Sequence, residues 1–132
     1  MPDGDPRFHK LPRPQTIETF IKYVGNAKVV TNVIQSSPQL IVVERTNGPT
    51  LKVHMTNIYI VGEADVAEIL AEEGEIDAIV TLSAWNSYSA GAKSNCKAQG
   101  VGLFRFKEFL GAVYYSGQKF LDYIHPDDRR RN

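Results

Sequence analysis

The chain is 132 residues long and carries 15 Lys and Arg against 15 Asp and Glu, a formal charge of zero at pH 7. That balance excludes the broad cationic field of a nonspecific polyanion binder, though not a local basic patch. With 42% hydrophobic and 23% charged residues the composition suits one globular domain, and the single cysteine, Cys96, excludes both an intrachain disulfide and a multi-cysteine zinc site.

Residues 1–14 hold four prolines and scattered charge, which reads as a flexible arm. They contain no apolar signal core, and no run in the chain approaches the roughly 18 apolar residues of a membrane span, so a cytoplasmic protein without a membrane partner is expected. A single α/β domain is expected over residues 15–124. Its first helix shows Ile17, Phe20, Ile21 and Val24 at helical spacing before Gly25. Three extended segments follow, "KVVTNVIQ", "QLIVVER" and "TLKVHMT", separated by the turn signals "SSP" and "TNGP". In the third, Leu51, Val53 and Met55 alternate with Lys52, His54 and Thr56, which predicts one apolar and one less buried face.

Beyond the three strands the period changes. "EADVAEILAEEG" predicts a helix ending at Gly74, and "IDAIVTLS" a strand buried on both faces. Ser89 can cap a helix through "AGAKSNCKAQ", and "VGLFRF" is a further strand. "KEFLGAVYYSGQKFLDYI" reads as helical with a break near Ser116 and Gly117. The aromatic residues Tyr114 and Tyr115 in this region suggest either core or a homodimer face, and "HPDDRRRN" over residues 125–132 is expected to be a polar tail. Strand–helix–strand connections imply parallel crossovers, so the order αβββαβαβα predicts a mixed sheet with helices on both faces.

That order, with the passages "HMTNIYIVGEADVAEIL" and "DAIVTLSAWNSYSAGAKSNCKAQGVGLF", resembles the PD-(D/E)XK, or restriction-endonuclease-like, superfamily and within it the Mrr-like branch, over roughly residues 15–110. The resemblance implies a metal-dependent nuclease ancestry. Its members hold Mg²⁺ with an acid on one strand and an acidic-x-Lys element on the next, where residues two apart share a face. In this sequence neither Lys52-Val53-His54 nor His54-Met55-Thr56 supplies that acid. Glu44 on the preceding strand stands nearest to the first acid, and Glu18 corresponds to the helix glutamate that some members carry. The candidate catalytic set is therefore Glu18, Glu44, Lys52 and His54, with Mg²⁺ as cofactor if the site is active. His54 is open to two readings, a functional one as general base or borderline metal ligand, and an ordinary one as a polar side chain on the less buried strand face.

The loop "SAWNSYS" follows a strand expected to be parallel and leads into a helix, a location where open α/β sheets bind ligands. Trp85, Asn86, Tyr88, Ser89 and Lys93 form the candidate nucleic-acid-binding set, with the rings available for stacking and Lys93 for charge. Alternatively, Trp85 lids the sheet edge, Tyr88 packs on a helix and Ser89 is only a cap. Three functions follow. The favoured one is a nuclease-fold protein with a degraded metal site that binds DNA, RNA or a protein. The others are a working Mg²⁺-dependent endonuclease with a rearranged site, and a small interaction module with no nucleic-acid role.

Overall fold

In a computed structural model that describes residues 10–129, the elements follow the expected order. Helix α1 (Pro14–Gly25) opens with its proline where a missing N–H costs nothing, and buries Ile17, Phe20 and Val24 along one stripe. Strands β1 (Val30–Ser37), β2 (Leu40–Arg45) and β3 (Leu51–Thr56) form an antiparallel meander. Next come β4 (Ile60–Val61), α2 (Glu63–Glu73), β5 (Ala78–Thr81), β6 (Ser87–Tyr88) and α3 (Ala90–Ala98). The chain continues through β7 (Gly102–Arg105), α4 (Phe106–Ala112), α5 (Gln118–Leu121) and α6 (Pro126–Arg129). Helix α2 stops at Gly74, whose φ of 74° lies in the region that favours glycine.

The main sheet has five strands in the order β1-β2-β3-β5-β7. Strands β3, β5 and β7 run parallel, so α2 and α3 serve as crossover helices. Side chains alternate between two cores. Ile41, Val43, Val53, Met55, Val80 and Phe104 face α1, α4 and α5. Ile79 and Leu103 face α2 and α3, together with Val66, Ile69, Ala92 and Cys96. The helices thus cover both faces, as the continuous apolar run of β5 implies. Among the described residues this second apolar core reaches the meander only through Leu40, which leaves Ile34 of edge strand β1 exposed.

Arg45 ties the meander to the far end of α4, donating to the carbonyls of Val113 at 2.9 Å and Tyr115 at 2.6 Å. The short pair β4–β6 is an addition that two-residue strands give no periodicity to announce. Residues 1–9 of the expected arm and 130–132 of the expected tail lie outside the described residues. Within the arm, the Lys10 carbonyl accepts from the Asn57 amide at 2.7 Å, so its end docks on the exit of β3. Within the tail, α6 packs back on the domain through an ion pair between Asp128 and Arg105. Among the described residues no helix is long and apolar enough to cross a membrane.

Candidate functional site

Glu44, Lys52 and His54 do share one face of the sheet, because Val42 pairs with Lys52 and Leu40 with His54. Glu18 does not join them. It lies on the exposed side of α1, a helix packed on the opposite face. Lys52 is exposed, and its backbone amide donates to the Asp77 carboxylate at 2.8 Å. His54 corrects the expectation of a less buried strand face: α2 crosses above it, leaving it 4% exposed with Nδ1 2.5 Å from Glu73 Oε2. The imidazole is thereby engaged in holding the last turn of α2, where a carboxylate faces the unfavourable end of the helix dipole. Among the described residues no three His, Cys, Asp or Glu side chains gather as a metal-binding group, so the candidate set does not fit a Mg²⁺ centre.

The loop after β5 separates its candidates just as sharply. Asn86, 3% exposed, points inward and donates to Thr81 Oγ1 at 3.0 Å and to Asn57 Oδ1 at 3.1 Å. Ser83 also donates to Asn57, and Thr81 Oγ1 donates to the Ile58 carbonyl at 2.6 Å. This network locks the exits of β3 and β5 together. Ser89 caps α3, accepting from the Ala92 amide at 3.1 Å. Lys93 is buried against the rings of Phe104 and Tyr88, 4.3 and 5.4 Å from their centroids, and donates to the Leu103 carbonyl at 2.6 Å. Strand β7 is a sheet edge, so Lys93 occupies an acceptor that no neighbouring strand fills. Burial lowers its pKa to about 8. Asn86 and Lys93 point inward and the Ser89 hydroxyl is taken up as a cap, which corrects the expectation that these three are offered to a ligand. Trp85 alone of the five is fully outward, at 75% exposure.

Trp85 stands over a groove of about 740 Å³. Gln15, Thr16 and Thr19 of α1 line one wall, and Leu82 to Trp85 follow from β5. Arg105, Phe106 and Lys107 enter from the end of β7, and His125, Asp127 and Asp128 from the C-terminal segment. Thr81 and Arg105 are in register, so the groove opens at the carboxyl ends of parallel strands.

Behind it lies Glu108, only 1% exposed. Its carboxylate accepts from Tyr88 Oη at 2.7 Å, from the Arg105 amide at 3.1 Å and from the His125 amide at 3.3 Å. Arg105 lies 3.5 Å from the same carboxylate and also pairs with Asp128. Burial works to lower the Arg105 pKa, but the charges of Glu108 and Asp128 outweigh it and hold the guanidinium above its ordinary value. Tyr88 is held protonated, first by burial and then by the negative charge of Glu108. The site therefore has a fixed interior of Tyr88, Glu108 and Arg105 and an outer rim of Trp85 and Lys107. Arg105, Lys107, Glu108 and Asp128 were absent from the sequence candidates. The signal available for them was positional: β7 ends beside β5 and turns directly into a helix. Comparison with protein families, curated proteins and solved structures yields no match for this chain.

Proposed function

We propose that this chain is a restriction-endonuclease-like domain that binds single-stranded DNA or RNA in the Trp85 groove without hydrolysing it. The observation that carries the reading is Trp85 itself, an exposed indole beside a groove at the carboxyl ends of parallel strands. A nucleobase stacked on such a ring gains on the order of 1–3 kcal/mol irrespective of its identity. Arg105 and Lys107 supply charge for the backbone, and Gln15, Thr16 and Thr19 supply hydrogen bonds. A cleft of this volume suits unstacked nucleotides better than a duplex. The order of strands and helices and the lack of an acidic-x-Lys element on β3 support the noncatalytic part of the reading.

The test is anisotropy of a labelled oligothymidylate at low salt, beside incubation of plasmid with Mn²⁺. Wild-type protein binds and Trp85→Ala binds about tenfold or more weakly, while the plasmid stays intact. Cleavage that disappears in Glu44→Ala or His54→Ala would instead establish the rearranged endonuclease.

A protein partner is the second reading, favoured by the exposed side chains of Tyr59, just before β4, and Ile60, on β4, which pairs with the Trp85 loop. Aromatic residues of this kind anchor interfaces. Under this reading Tyr59→Ala and Trp85→Ala both weaken capture of a protein, and neither affects an oligonucleotide.

A further inference from the structure

The groove presents a physical contradiction to a polyanion. It offers Arg105 and Lys107, and sets Asp127 and Asp128 beside them. We propose that the C-terminal segment from His125 to Asp128 is an intramolecular competitor, whose Asp128 carboxylate holds the position on Arg105 that a nucleic-acid phosphate takes. This rests on the nucleic-acid reading above and adds the regulation of the same site.

Asp128 and Arg105 form an ion pair at the groove wall, each about one third exposed. Carboxylate and phosphate both match the guanidinium fork, so a phosphate can replace Asp128 on the same donors. Release does not strand the arginine, because the buried Glu108 remains 3.5 Å away as its fixed counter-charge. Arg105 thus lies between one carboxylate locked in the interior and another on a one-turn helix at the surface. The backbone of the segment is anchored at its start, where the His125 amide donates to Glu108. Opening can therefore swing the two aspartates away while leaving the base of the segment in place. Both carboxylates then leave the groove, and its charge changes from balanced to positive.

The experiment compares oligothymidylate affinity for wild type, Asp128→Asn, Trp85→Ala and Asp122→Asn, and follows amide exchange of residues 127–129 in the wild type. Asp122 is a charge-matched control, since it pairs with Lys97 outside the groove. Asp128→Asn is expected to bind about fivefold more tightly, the scale of one partly exposed ion pair. Asp122→Asn stays at the wild-type affinity, and exchange over residues 127–129 accelerates when the wild type is saturated. Equal or weaker binding by Asp128→Asn, or unchanged exchange at saturation, overturns the competitor even while Trp85→Ala retains its defect. No binding by any variant overturns the nucleic-acid reading and this one with it.

Discussion

In the antiparallel half of the sheet, Glu44 and Lys52 stand on a face that the second core hardly reaches, and the polar side chains sealed there, His54 and Thr56, are joined to Glu73 and to the Lys10 carbonyl. In the parallel half, helices cover both faces, and Thr81, Asn86, Lys93 and Glu108 are buried with named partners. Open ground in the meander lies over the strands, whereas in the parallel half it lies beyond their ends, where the groove forms. The same sheet therefore carries its candidate nuclease residues as scattered surface and fold contacts. It gathers its buried polar groups behind Trp85. Burial on both faces of the parallel strands forces the polar residues there to satisfy one another, and that mutual fixing gives the groove a rigid back wall.

The contrast can be broken most forcefully at Glu108. Glu108→Ala leaves Arg105 with half its counter-charge and strips acceptors from Tyr88 and two backbone amides. A loss of about 3–5 kcal/mol in urea unfolding is expected. Next in size is a pH effect at Lys93. Its folded pKa of about 8 lies below its ordinary 10.5, so across that window the unfolded chain binds more protons and stability rises with pH. The rise is roughly 3 kcal/mol. Cys96, raised to about 11 by burial, acts in the opposite direction above about pH 9. The Lys93 effect is therefore read as the difference between wild type and Lys93→Met, in which the rise vanishes.

His54→Ala sharpens the other side of the comparison. It removes the partner of a half-buried carboxylate and costs about 1–2 kcal/mol of stability, with oligonucleotide affinity unchanged. Smallest of all, Glu44→Gln and Lys52→Gln each stay within about 0.5 kcal/mol in stability and leave binding untouched.

The elements that the sequence discloses are those whose periodicity is fixed by a neighbouring core. Leu51, Val53 and Met55 alternate because one core lies under β3, and Ile17, Phe20 and Val24 recur because the same core lies under α1. Ser89 is legible as a cap because capping is local. His54 is not legible, since its burial depends on α2 crossing over the strand 19 residues before Glu73. Glu108 is less so: a glutamate between Phe106 and Phe109 looks solvated until Tyr88, 20 residues earlier, is brought against it. Asn86 and Lys93 are hidden for the same reason, because their partners come from other segments of the chain. Trp85, a residue outside any periodic pattern in a loop that ends a strand, is the part of the site that the sequence does present.

Trp85 is the only tryptophan in the chain, so its emission reports on the groove without a label. Titrating oligothymidylate into the protein at low salt, with chelator present, should quench that emission saturably. The quench should have the same midpoint as oligonucleotide anisotropy. An unchanged emission at concentrations where anisotropy is saturated would contradict the account, because the nucleic acid would then be bound away from Trp85.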